Sequence, residues 1–522
     1  MRGNQPLRLL ISHVVSSEVA EVATGVRVPA GPFARKSIEA LQADATSHGL
    51  RRTLGPLHLV LLGIGCILGA GIYVLPGTAA ANFAGPAVML SFVLAGTACA
   101  LTALCYAELA STMPVSGSSY SYCYAALGEV FAWGLGWILM LEYTLASSTL
   151  AVGFSSYLVS LLRDFGVIVP AFLATPLVGT AGGFSVNLLA VLAIAAVTAV
   201  LCAGVRQSAG VNAFLVVVKV AVLAVVISVG VGAIEPENWK PFIPPHEGEF
   251  AFGWPGIVRG ASILFFAYLG FETVSTTASE ARNPQRDMPV GILGALFVCT
   301  ALYLAVAAVL TGVVPYRELG VADPVALAVD RMGRPGVAVF VKIGALMGLA
   351  SVLLVNAYGQ SRITFQMSRD GMLPALFSRV HERFRTPYRG IILLAVVSAV
   401  CAAFFPIAML ADLVSLGAGL AFATVCFSTM WLRSRRPDLP RPFRVPLGGF
   451  WIGRAWVGYI PATALVLCIA MILPVLIDIG LQAASGQPLM AIFLALYVAV
   501  GAALYAGYGR RNSALERGST LA

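Results

Sequence analysis

Charge is what this sequence has least of. Of its 522 residues, 11% are charged and 59% are hydrophobic. Soluble globular chains carry about 25% charged residues, and so few charges cannot cover a water-facing surface of this size. A mean hydropathy of +0.88 points to lipid as the remaining solvent. Histidine is scarce, with five in the chain, and no His pair, HExxH or Ser–His arrangement occurs. An enzyme embedded in the membrane would need such paired groups, so neither enzymatic activity nor a cofactor is expected. Nine cysteines are scattered with no CxxC among them, which gives no disulfide framework and no metal site. The first fifty residues lack a long apolar run followed by a small-residue cleavage site, so no signal peptide is expected. Every loop is too short to hold a core of its own.

What the chain does have is about a dozen solidly apolar runs. A helix needs roughly 20 apolar residues to span a bilayer, whereas a β-barrel would show ~10-residue alternating segments. The expected fold is therefore an all-α membrane protein of about 12 transmembrane helices. A cytoplasmic tail covers 1–56, and its stretch 33–50 could form an amphipathic surface helix. Spans 1 to 5 are expected near 57–81, 86–111, 130–161, 185–204 and 211–234. Spans 6 to 10 follow near 254–278, 289–314, 336–360, 391–408 and 411–432. Spans 11 and 12 fall near 457–478 and 488–508, ahead of a cytoplasmic tail at 509–522. This divides the chain into a first set of five spans (57–234), a second set (254–432) and two extra helices (457–508).

The net charge of +9 could suggest nucleic acid, but its distribution argues against that partner. With a cytoplasmic N-terminus and alternating spans, 25 of the 33 Lys and Arg fall inside. Only Arg163, Lys240, Arg259, Arg317, Arg331, Arg334 and Lys342 fall outside, and Lys219 lies inside a span. That is the positive-inside asymmetry of a multi-pass protein of the inner (plasma) membrane.

Two spans are interrupted. Span 1 carries Gly69-Ala70-Gly71 at mid-membrane, and span 6 carries Phe266-Ala-Tyr268-Leu-Gly270-Phe271-Glu272. Glycine tolerates any φ and so favours unwinding. Unwound backbone must line a cavity, because lipid cannot pair its peptide groups. The freed N–H groups attract an anion and the freed carbonyls a cation, which together suit a zwitterion. Breaks at the first helix of each set of five fit an inverted-repeat transporter. Small residues on one face can also be packing surface alone.

Ionisable groups inside spans are costly. Lys219 sits in span 5, too deep to snorkel easily, at ~2.5–3.5 kcal/mol on insertion scales if charged. Such a group can load and release a proton, or it can tie span 5 to span 1 or 8 as an ion pair. Glu142 in span 3 and Glu272 in span 6 carry the same cost, and Glu108 lies near the end of span 2, where solvation or packing explains it equally well. Glu280, Arg282, Asn283 and Pro284 read as a charged helix end and turn. The serines of Ser116-Gly-Ser-Ser119 read as loop hydrogen-bonders.

Several segments resemble the amino acid–polyamine–organocation transporters. GIGCILGAGIYVLPG in span 1 and CYAELASTMPVSGSSYSYCYAALGE after span 2 carry the likeness. FFAYLGFETVSTTASEARNPQRDMP, YGQSRITFQMSRDGMLP and WLRSRRPDLPRPFRVP are similar to the cationic amino acid transporter subgroup. The likeness covers about residues 50–510. It implies a five-plus-five inverted repeat with broken helices 1 and 6 and two added helices. It implies that the N–H groups of Gly69, Ala70 and Gly71 hold a substrate carboxylate. Carbonyls near Ile67 and at Ile263 and Phe266 would hold the ammonium, with the Phe266 ring as a gate and Asn356 in the side-chain pocket. It places Lys219 where proton-coupled members carry a lysine. Glu142 and Glu272 match acidic positions and become proton partners or helix ties, and Glu280 becomes part of a cytoplasmic gate. An acid common four residues before Glu142 is Ile138 here.

The expectation is a proton-coupled amino acid symporter whose partners are the amino acid, protons and membrane lipid, with no obligate protein partner. An amino acid/polyamine exchanger on the same fold is the alternative, and Lys219 favours the symporter because exchange needs no coupling ion. A channel would need a symmetric filter, which a single pair of broken helices does not supply.

Overall fold

Lipid offers a peptide group no partner, so each apolar run closes its backbone bonds within itself as helix. The computed structural model describes residues 34–38, 53–115, 117–178, 185–204 and 209–514. Among them, nine helices are long and apolar enough to cross a membrane. Three shorter apolar helices, Pro56–Ile67, Leu188–Cys202 and Tyr388–Phe404, complete twelve spans. The continuous spans are 2 (Val88–Thr112), 3 (Glu129–Asp164), 5 (Ala209–Val231), 7 (Pro284–Val313), 8 (Pro335–Arg369), 10 (Ile407–Arg435) and 11 (Tyr459–Ala484). Span 12 starts as Leu489–Leu504 and runs on to Asn512. Most of the 33–50 stretch, Ser116 and the last eight residues lie outside the described residues.

The two sets of five pack as images of each other. Span 1 packs on span 7, and span 6 on span 2. Span 3 packs on span 10, and span 8 on span 5. Span 3 meets span 9 as span 8 meets span 4, while 2 meets 7, 3 meets 8 and 4 meets 9. Exchanging the sets leaves this pattern unchanged, as an inverted repeat requires. The chain entries match too. Leu54, just before span 1, pairs with the end of span 6, with Leu54 N–H on Glu280 O at 3.1 Å and Arg282 N–H on Leu54 O at 2.8 Å. Phe252, just before span 6, donates to Phe83 O at the end of span 1 at 2.9 Å.

Both described ends of the chain lie on one face, called here the termini face. Ala34 O accepts from Glu129 N–H at 3.0 Å, and Ala514 N–H donates to Asp370 O at 3.0 Å. Lys36 reaches buried Asp370 at 2.5 Å. The helices Ser118–Ala126 and Pro324–Arg331 lie in connections that hydropathy alone reads as loop. So does a two-stranded hairpin, Gly449–Ile452 with Ala455–Gly458.

Charge placement needs two corrections. Arg259 and Lys342, counted with the outside charges although the expected spans 254–278 and 336–360 include them, lie within the helices of spans 6 and 8 and are buried. Each is held by acids. Arg259 makes a two-pronged pair with Asp412 of span 10 at 2.8 Å and reaches Asp478 of span 11 at 2.8 Å. Lys342 meets Asp164 at 2.7 Å and Asp330 at 2.9 Å. Glu108 resolves as a packing group: it is buried, pairs with Arg433, and accepts from Val445 N–H at 2.8 Å.

Candidate functional site

Span 1 runs helical through Pro56–Ile67, breaks at Leu68 and Gly69, and resumes at Ala70–Tyr73. Span 6 runs through Gly253–Leu264, tightens into a 3-10 turn at Phe265–Tyr268, and resumes at Phe271–Ser275. Gly270 between them has φ +120°, a conformation that side chains rarely adopt. The two breaks lie against each other. A Cβ on Gly71 would sit 2.5 Å from Ala267 Cα, and one on Gly270 would sit 2.7 Å from the Cys66 carbonyl carbon. Only glycine lets these backbones approach so closely.

The peptide groups that the breaks release are mostly taken up. Gly69 N–H donates to Ile67 O at 2.9 Å. The Tyr303 hydroxyl of span 7 lies 2.9 Å from Ile67 O and 2.5 Å from Ala267 O, so one proton is shared across both breaks. Ser415 donates to Ile263 O at 3.1 Å, and Leu269 N–H to Phe266 O at 3.0 Å. Gly270 N–H donates to the Glu272 carboxylate at 2.8 Å. Two donors remain: the N–H groups of Ala70 and Gly71 meet no acceptor among the described residues. An unmade bond to a buried donor costs about 1–3 kcal/mol, which a bound acceptor would recover.

One cavity gathers most of the expected site. Ile67, Gly69, Ala70, Gly71, Phe266, Glu142, Glu272 and Asn356 line it, with about 470 Å³ of atom-free space, part of it open. Ala146, Leu150, Val352 and Val355 give it an apolar wall. Asn356 is oriented by span 3, its Nδ2 donating to Tyr143 O at 2.7 Å and to Ser147 Oγ at 2.8 Å. With both amide hydrogens engaged, its Oδ1 is what remains to bind. One carboxylate oxygen of Glu142 is buried and has no hydrogen-bond partner among the described residues.

Beyond the span 1 break the wall is closed. Ile72, Tyr73 and Val74 are buried, and Tyr157 donates to Tyr73 O at 2.6 Å. On the other side Leu269, Thr273, Val355 and Asn356 are partly exposed, and the exposed edge continues through Thr276 and Thr277 toward the termini face.

Three expected residues are not among those lining the cavity: Ile263, Lys219 and Glu280. Lys219 is fully buried in span 5 and donates to Gly65 O at 2.8 Å, one turn before the span 1 break. Among the described residues no carboxylate lies within ion-pair distance of it, so the static ion pair is not what it makes. Glu280 is half-buried, and its carbonyl serves the Leu54 pairing. Sequence reasoning missed Tyr303 and Ser415. A tyrosine deep in an apolar span was the available signal, since a buried hydroxyl has to find a partner.

A multi-pass helical membrane protein with two abutting broken helices and a cavity between them has the architecture of a secondary transporter. The comparisons narrow it. The family model described as amino acid permease matches residues 54–501, and the chain belongs to that family. It is 42% identical to the methylthioribose transporter of Bacillus subtilis (strain 168), over 93% of this chain and 99% of that one. It is 39% identical to the branched-chain amino acid permease BcaP of the same strain, again over 93% and 99%. Cationic amino acid transporter 4, vacuolar, of Arabidopsis thaliana is 40% identical over 75% of this chain and 65% of its own.

Proposed function

We propose that this protein carries an α-amino acid across the cytoplasmic membrane in symport with protons, by alternating access, with both termini in the cytoplasm. The observation that carries this reading is the unpaired N–H pair of Ala70 and Gly71 at the edge of the cavity. They receive the substrate carboxylate, next to the positive end of the resumed helix. The carbonyls of the span 6 break, Phe266 foremost, receive the ammonium, and the Phe266 ring closes over it. Carbonyl oxygens carry two lone pairs each, so those already in use retain capacity.

Lys219 supplies the coupling. It holds the backbone one turn before the carboxylate site. Loss of its proton would weaken that hold and so link protonation to the geometry of the break. Glu142 and Glu272, in the cavity wall, are the proton's partners.

Two observations bear on the side chain. The apolar wall of Ala146, Leu150, Val352 and Val355 supports a neutral aliphatic one, the class in the name of the branched-chain relative. The unpartnered Glu142 oxygen supports a cationic one, the class in the name of the Arabidopsis relative. Purified protein in liposomes should accumulate a labelled amino acid under an inward proton gradient. Competition by leucine against arginine then separates the two classes. Failure of all twenty amino acids to bind or compete would end the reading.

A further inference from the structure

The connection between spans 10 and 11 has a chemistry that transport does not use. From Arg433 to Tyr459 it holds six arginines and one aspartate. Glu108 occupies two of them, Arg433 and Arg441. Arg444 and Arg454 are exposed and meet no carboxylate among the described residues.

The hairpin in this connection is apolar on its outer face. Side chains alternate along a strand, so Phe450 and Ile452 share one face and Trp451 takes the other. The register pairs Trp451 with Trp456, and Trp456 is buried under Arg433, whose guanidinium stands 4.2 Å above its ring. On that face Trp456 packs on the protein, while Trp451 beside it is itself 52% exposed. Phe450 and Ile452 point the other way and are 43% and 62% exposed.

The direction of this outer face is fixed by Tyr459, the first residue of span 11. Its ring lies 5.6 Å from that of Phe450. Tyr459, Val466, Ile469 and Leu473 fall on one stripe of the span 11 helix, and all four are exposed. On a membrane span such a stripe meets lipid. The outer face of the hairpin therefore continues the lipid-facing surface of span 11 into the headgroup layer, flanked by free arginines. Aromatic rings beside arginines suit that layer, apolar at one end and anionic at the other.

We propose that this hairpin is a membrane-interface anchor that binds the anionic headgroups of the leaflet on the termini face. Phe450 and Ile452 enter the acyl boundary, and Arg444 and Arg454 bind the phosphates. The anchor holds the start of span 11.

The test uses the full-length protein in nanodiscs. The native thiols are buried apart from half-buried Cys202, so Ile452→Cys can be labelled with a polarity-sensitive dye against an unsubstituted control. In phosphatidylcholine containing phosphatidylglycerol, the expected result is blue-shifted emission, quenched by acyl-brominated lipid and shielded from aqueous iodide. Adding Arg444→Gln and Arg454→Gln should abolish the difference between this mixture and phosphatidylcholine alone. Iodide quenching with no bromolipid quenching would overturn the anchor. Equal insertion of the arginine-intact protein in both lipids would overturn the anionic specificity. Energy transfer between labelled copies sharing one disc would make a second copy of the chain the occupant and overturn lipid binding.

Discussion

Lys219 holds the carbonyl of Gly65 at 2.8 Å, from a site with no acidic partner within reach among the described residues. A buried amine that bonds backbone alone can do two jobs, tying span 5 to span 1 and changing protonation. Two substitutions separate them. Lys219→Gln keeps a donor for Gly65 but cannot titrate, whereas Lys219→Ala loses both. Uptake driven by a proton gradient in liposomes should fall to background in both variants, while substrate counterflow should survive in the glutamine variant. Gradient-driven uptake undiminished in either variant removes the coupling role.

Gly71 tolerates no side chain where Ala267 lies. Gly71→Ala would put a methyl 2.5 Å from Ala267 Cα and 2.7 Å from its carbonyl oxygen. Overpacking of this kind costs about 1–3 kcal/mol, and here it pries the two breaks apart. Substrate affinity, measured by isothermal titration, should drop about tenfold or more, with a lowered Tm. Unchanged affinity would mean that the approach of the breaks is not what shapes the site.

Tyr303→Phe removes the one proton that serves both Ile67 and Ala267. Leaving a buried carbonyl unpaired costs about 1–3 kcal/mol. The variant should melt several degrees lower, and saturating substrate should recover part of that loss by binding the intact form. A Tm equal to that of the unsubstituted protein would assign the hydroxyl no role at the breaks.

Arg259 answers to two aspartates, and they are not equivalent. Asp412 is bound by both guanidinium arms and is nearly buried, whereas the Asp478 side chain is 19% exposed. Removing one partner of a buried pair costs about 3–5 kcal/mol. Asp412→Asn should therefore destabilise the protein far more than Asp478→Asn in thermal unfolding in detergent. The opposite order would mean that Asp478 carries the pair.

The parts of this architecture that are legible in the sequence are the parts with local causes. Solid apolar runs announced twelve spans, and Gly69, Gly71 and Gly270 marked where two of them come undone. What closes the breaks was not legible, because Tyr303 and Ser415 sit in ordinary-looking helices remote from the positions they serve. Arg259 and Lys342 were misplaced for a related reason. Near a span end a lone cation is easily counted with the flanking charges, and the acids that let the helix bury it, Asp412 and Asp330, lie elsewhere in the chain. The hairpin went unseen because arginines dominate the loop that holds it, and only strand pairing reveals that Phe450 and Ile452 share a side.

The Leu54–Ala281 bridge and the Phe83–Phe252 bond fasten spans 1 and 6 together at opposite faces of the membrane. Two fasteners at the ends of a crossed pair act like rivets on a pair of laths. The pair can tilt as one plank, but it cannot scissor open without shearing a rivet. Delivery of cargo from one face to the other thus calls for the plank to swing against the wall of spans 3 and 8. Distances from span 1 to span 8 should change during the cycle, while those from span 1 to span 6 stay constant.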